Sequence, residues 1–200
     1  MIIDRSGHVI DPATVLAAYA HGCFPMAEHR HGRLAWYRPE ERAIITWDRL
    51  KCPRSLRKVM AKKPFKIVFD HDFSAVVSAC AQRPDTWISE DIQTLYEQLY
   101  ALGDAHCVAA YDHHGSLVGG CYGLSVGAIF CGESMFHRAP DAAKACVWEL
   151  LQHLRARGFL ALDCQQQSEH MRRFGAYEID HDTYAALLAQ ALDQGQLPIF

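Results

Sequence analysis

Several function classes are missing from this sequence. No Cys-x-x-Cys pair and no His-Glu-x-x-His run occurs in its 200 residues, which argues against a zinc centre or a dithiol redox site. His29 and His31 are two apart and His113 and His114 are adjacent, and neither pair has ligand spacing. There is no Walker A phosphate loop. No apolar run approaches the roughly 20 residues that a membrane span needs. Met1-Ile2-Ile3 gives way at once to Asp4-Arg5 rather than to a secretory leader. Repeats, low-complexity tracts and long linkers are absent too. These absences predict a cytoplasmic, monomeric protein that does not associate with membranes.

What is present describes an ordinary folded chain. Half of the residues are hydrophobic and 22% are charged, enough to build a core. The net charge of -3 makes a general nucleic-acid binder unexpected, although a local basic patch is compatible with it. The eight cysteines sit mostly in apolar runs, as reduced thiols acting as small hydrophobes do.

Asp11-Pro12 is expected to start a helix that Gly22 ends, followed by the extended segment Cys23-Phe24-Pro25-Met26. The charged stretch Arg38–Arg42 marks a boundary between a small N-terminal subdomain, 1–42, and a main domain, 43–200. Residues 51–63 hold six basic residues and no acid. A helix beginning after Pro53 would place Arg54, Lys58 and Lys62 on one face. A strand is expected near 65–69, helices over 72–80 and 89–102, and then three antiparallel strands: 106–111, 117–124 and 128–136. Asp141 is expected to cap a long helix ended by Gly158. Phe159–Leu162 reads as a buried central strand, and two short helices close the chain. This order predicts an α+β, acetyltransferase-like (GNAT-type) mixed sheet flanked by helices. Phe136-His137-Arg138-Ala139-Pro140, ahead of the long helix, lacks the glycine-rich turn that cradles the pyrophosphate of acetyl-CoA, which disfavours acyl-CoA as donor.

Two segments can carry chemistry. Glu133 stands in an apolar strand, where alternation turns it the same way as Ile129, Cys131 and Met135. It is either a buried ion pair with an arginine such as Arg138, or a site carboxylate that meets a cation. Asp163 and Gln165 follow the buried strand directly. Either Asp163 caps the next helix and Gln165 is solvated, or Asp163 polarises the Gln165 amide so that it takes a proton from an attacking amine.

Ala18-Tyr19, Phe24-Pro25, Arg42-Ala43, Arg54-Ser55-Leu56, Thr86-Trp87-Ile88, Gly119-Gly120, Cys131-Gly132-Glu133-Ser134-Met135-Phe136, Asp163-Cys164-Gln165, His170 and Gly175-Ala176 occur in this order along nearly the whole chain. In order and spacing they resemble the leucyl/phenylalanyl-tRNA–protein transferase family. The resemblance implies transfer of leucine or phenylalanine from aminoacyl-tRNA to protein N-termini that begin with arginine or lysine, marking them for degradation. It implies no metal or coenzyme, since the aminoacyl ester is already activated. By position it implies Asp163 and Gln165 as a proton relay, with Glu133 meeting the acceptor cation or orienting the amine. Phe130, Val147, Leu150, Leu154 and Leu162 would form the pocket for the aminoacyl side chain. Trp87 would lie near the adenosine, and Arg54, Arg57, Lys58 and Lys62 would meet tRNA phosphates. Met26 replaces the family's adenine-stacking tryptophan, and Ala109 a common glutamate. The rivals are another amine acceptor for the same donor, an acyl-CoA N-acyltransferase, and a non-catalytic RNA binder.

Overall fold

A computed structural model describes residues 2–199; Met1 and Phe200, the first residue of the opening tripeptide and the last of the chain, lie outside the described residues. The chain runs through β1 (Ile2–Ile3), β2 (Val9–Ile10), α1 (Pro12–Ala20), β3 (Phe24–Ala27), β4 (Leu34–Tyr37) and β5 (Glu41–Ile45). It continues with α2 (Arg54–Met60), β6 (Lys66–Phe69), α3 (Phe73–Ala81), α4 (Glu90–Leu102), β7 (Ala105–Tyr111), β8 (Leu117–Val126) and β9 (Ile129–His137). It ends with α5 (Ala142–Ala156), β10 (Ala161–Gln165), α6 (Glu169–Arg172), β11 (Tyr177–Asp180) and α7 (His181–Asp193).

Seven strands form one sheet in the order β11-β5-β10-β9-β8-β7-β6, while β1-β2 and β3-β4 make separate two-stranded ribbons. Within the seven-stranded sheet, among the described residues, only β10 against β9 is parallel, because α5 carries the chain across the sheet between them; its other pairs are antiparallel. This is the α+β mixed sheet flanked by helices expected from the sequence. One core gathers α1, α3 and α4 through Tyr19, Val76 and Tyr96. The other gathers α2 and α5 through Leu56, Cys146 and Leu150. All eight cysteines are free. Among the described residues no helix is long and apolar enough to cross a membrane.

Four local expectations need correction. Lys62 lies past the end of α2, whose cap is Ala61, so it does not extend the Arg54–Lys58 face. Asp141 sits at the start of α5 but in a left-handed conformation, and its carboxylate bonds Lys144 at 2.5 Å instead of capping the helix. The edge strand β11 is too short to show a pattern in sequence and exists through its pairing with β5. Finally, β10 runs beyond the apolar stretch to include Asp163 and Gln165.

Candidate active site

Two β-bulges on neighbouring strands build the site. In β9 the register with β8 shifts between Ser134 and Gly132, which leaves Glu133 as the extra residue. The bulge resets the alternation. Cys131 and Glu133 reach the core on the α1/α4 side, whereas Met135 packs into the opposite one. Glu133 and Met135 therefore do not share a face, contrary to the alternation predicted from sequence. A glycine is required beside the bulge, since a side chain at Gly123 would run into the Cys131 carbonyl and the Phe130 ring. In β10 the register shifts between Asp163 and Gln165, and Gln165 takes a left-handed φ of 61°.

Asp163 holds the second bulge. It is 0% exposed. Arg42 Nε donates to both of its oxygens at 3.0 Å, and Arg42 Nη2 to Oδ2 at 2.7 Å. The Tyr184 hydroxyl donates to Oδ2 at 2.8 Å, and the Gln165 backbone N–H to Oδ1 at 2.7 Å. Burial works against the charge on Arg42, but the charge and hydrogen bonds of Asp163 outweigh it and raise the guanidinium pKa. Asp163 is thus neither a helix cap nor in contact with the Gln165 side-chain amide. The amide instead points at Glu133, with Nε2 donating to Oε1 at 2.8 Å. The direct carboxylate-to-amide relay is not formed, because the bulge separates the two side chains while holding their backbones together.

Glu133 makes no ion pair with Arg138, which bonds Gln82 and the Leu117 carbonyl. Its Oε1 also accepts the Tyr19 hydroxyl at 2.5 Å, and Tyr19 and Tyr96 share a hydroxyl bond of 2.6 Å. Oε2 is buried without a partner. Burial lifts the carboxyl to about 7; the bonds from Tyr19 and Gln165 and the nearby Tyr96 hydroxyl oppose the rise and Asp163 adds to it. Both tyrosines stay neutral donors, pushed up by burial and then by the charge of Glu133.

Glu133 opens into a cleft of about 350 Å³. Val147, Leu150 and Leu162 line its apolar side with Met135 and Met171, and Trp87 also borders it. Phe130 and Leu154 lie in the core beneath and are not part of the lining. Gln165 reaches the cleft only through its bond to Glu133. Met26 is half-buried on β3 and outside the lining, although the adjoining Ala27 N–H bonds the Trp87 carbonyl at 3.4 Å. Arg54, Arg57, Lys58 and Lys62 are exposed, on and just after α2, which packs against α5.

Arg42, Tyr19, Tyr96 and Tyr184 are site residues that the sequence did not single out. A signal existed for three of them. Arg42 is in phase with buried Ile44, and Tyr19 and Tyr96 sit on apolar helix stripes where a hydroxyl needs a partner. The run Gly123-Leu124-Ser125-Val126-Gly127 has the spelling of a nucleophile elbow, yet it leads from β8 into a hairpin, not into a helix, and Ser125 is buried. Cys164 borders the cleft, but burial and the charge of Asp163 push its thiol well up, which removes it as a nucleophile. Among the described residues no group of three or more His, Cys, Asp and Glu side chains could hold a metal ion. The site therefore offers an apolar wall, a carboxyl poised near neutrality and neutral hydroxyl donors. That set suits proton removal from an amine attacking an activated acyl group.

The family model for leucyl/phenylalanyl-tRNA protein transferase matches residues 44–189, and the model of its N-terminal domain matches residues 9–40. A leucyl/phenylalanyl-tRNA–protein transferase of Rubrobacter xylanophilus is 44% identical over 92% of this chain and 95% of its own. One from Akkermansia muciniphila is 43% identical over 92% of this chain and 97% of its own. The solved structure of L-PGS from Bacillus licheniformis superposes with a TM-score of 0.48 at 12% identity, over 76% of this chain and 64% of that one.

Proposed function

Since the chain belongs to the leucyl/phenylalanyl-tRNA–protein transferase family, we infer that the cleft beside Glu133 is where it moves leucine or phenylalanine from tRNA to the N-terminal amine of proteins beginning with arginine or lysine. The observation that carries the reading is Glu133 Oε2, buried without a partner at the edge of a cleft whose other wall is apolar. An unmet carboxyl oxygen is costly unless a substrate group meets it.

In this reading the leucine or phenylalanine side chain lies against Val147, Leu150 and Leu162. The acceptor amine approaches Glu133. Its nitrogen forms a bond to the ester carbonyl carbon, the ester C–O bond to the terminal ribose breaks, and the amine proton passes to Glu133. The departing ribose oxygen takes a proton and leaves as a hydroxyl. Gln165 and the two tyrosines orient the carboxyl. Asp163, locked by Arg42 and Tyr184, is a positioning residue that shapes the Gln165 bulge. Met26 and Trp87, on adjacent segments, would cover the adenosine. Arg54, Arg57, Lys58 and Lys62 would contact acceptor-stem phosphates without reading sequence.

The test uses Leu-tRNA or Phe-tRNA labelled in the amino acid, with a peptide that starts with arginine. Wild type labels the peptide; Glu133→Gln and Gln165→Ala label it far more slowly. Transfer to small amines but not to the peptide would overturn the acceptor assignment. Equal rates in all three proteins would overturn the role of this site.

A further inference from the structure

Beside the cleft, at the C-terminal end of β9, a second cavity of about 440 Å³ lies between α3, α5 and α6. Arg83, His137, Arg138 and His170 line it, and no carboxylate does. Two acids on the adjoining segments are engaged in ion pairs: Asp141 bonds Lys144 at 2.5 Å and Glu169 bonds Arg173 at 2.6 Å. The imidazole of His170 is held below the usual range by burial first and then by Lys144, Arg173 and His137, with Asp141 opposing. His170 Nε2 is buried with no hydrogen-bond partner. Ala143, in the first turn of α5, also lines the cavity, so the positive end of that helix adds a field of the same sign. The two arginines have donors to spare. Arg83 spends two bonds, on Ser134 at 2.6 Å and the Cys80 carbonyl at 3.4 Å, and Arg138 two, on Gln82 at 3.1 Å and the Leu117 carbonyl at 3.3 Å, out of five donors each.

A pocket of this sign selects between the two substrates. An acceptor that presents an amine and a basic side chain is repelled by it, whereas a nucleic-acid strand is attracted. Arg83 and Met135 belong to both cavities, so a donor seated in the cleft can continue directly into the second one. We propose that this cavity is an anion subsite for a phosphodiester of the single-stranded 3′ end of the donor, separate from the basic stretch on α2. The proposal rests on the reading that the donor is an aminoacyl-tRNA. It assigns Arg138 and Arg83 as the phosphate's charged partners and gives His170 the ligand oxygen that it lacks.

The experiment compares two minimal donors with one arginine-starting peptide: aminoacyl-adenosine, which has no phosphate, and an aminoacyl-cytidylyl-adenosine, which has one phosphodiester. Full aminoacyl-tRNA serves as the reference. In Arg138→Gln the dinucleotide donor should lose about tenfold in kcat/KM through KM, the effect of one charge-assisted hydrogen bond at a partly exposed site. Aminoacyl-adenosine should keep its wild-type value, and Arg138→Lys should restore most of the loss. Equal loss with both donors would assign Arg138 a structural role, no loss with either would remove it from the donor's path, and a loss that follows acidic residues in the peptide would assign the cavity to the acceptor. Each of these overturns the subsite while wild-type transfer from full tRNA still stands. Failure of wild type with all three donors would overturn the underlying reading as well.

Discussion

Replacing Glu133 with glutamine keeps the shape of the side chain and removes its titration. With a carboxyl held at about 7, only the ionised form can take a proton from the amine. Below that pH the ionised fraction falls about tenfold per unit, to roughly one part in a hundred at pH 5. Loss of a general base costs typically 10²–10⁴-fold. The amine acceptor titrates as well, so wild-type rates alone mix two ionisations. The ratio of wild-type to Glu133→Gln kcat/KM cancels the contribution of the amine. It should be level above about pH 8 and fall about 50-fold between pH 7 and pH 5. Stability gives a second readout of the same group. Its folded pKa of about 7 lies above the reference value of 4.5. The carboxyl's contribution to stability is therefore fully present below 4.5 and is lost as the pH rises towards 7. Thermal melts should show Glu133→Gln gaining on wild type across that window, by up to about 3 kcal/mol at pH 8. A kcat/KM ratio that stays flat from pH 5 to pH 8 would refute the assignment of Glu133 as the base.

Three other perturbations probe the surrounding structure. Tyr19→Phe removes a bond that lowers the Glu133 pKa, so the inflection of the kcat/KM profile should move upward by about one unit; a downward shift would contradict the network. Arg42→Ala leaves Asp163 buried without its ion-pair partner, and chemical denaturation should show a loss of about 3–5 kcal/mol; less than 1 kcal/mol would mean that the pair does not hold the bulge. Neutralising Arg57 and Lys58 should reduce the slope of log K against log salt by nearly one unit for each phosphate that the protein no longer neutralises, with similar effects on different tRNA sequences. An unchanged slope in filter binding would remove α2 from the interface.

Much of the fold is legible in the sequence because its signals are local. The Asp11-Pro12 start of α1, the Ser89 cap of α4, the apolar stripe of α5 and the three-strand meander all follow from the backbone preferences of a few adjoining residues. The segment β11 was not legible, since four residues of alternating exposure become a strand only when β5 supplies the partner. The same division runs through the site. Glu133, Asp163 and Gln165 stand out by themselves as polar residues in apolar runs. Their mutual geometry does not, because a bulge is a property of two strands in register: one extra residue at Glu133 turns Met135 to the other face, and one at Cys164 aims the Gln165 amide at Glu133.

From the sequence alone follow the α+β class, the candidate segments Gly132–Phe136 and Asp163–Gln165 and the family resemblance, since composition, spacing and residue order travel with the chain. Only the tertiary structure pairs Asp163 with Arg42, 121 positions away, and seats Tyr19, 114 positions away, on Glu133. Those pairings decide which carboxyl is locked in an ion pair and which is lifted to about 7 facing the cleft. Burial and hydrogen bonding set that difference, and both depend on which distant parts of the chain the fold brings together.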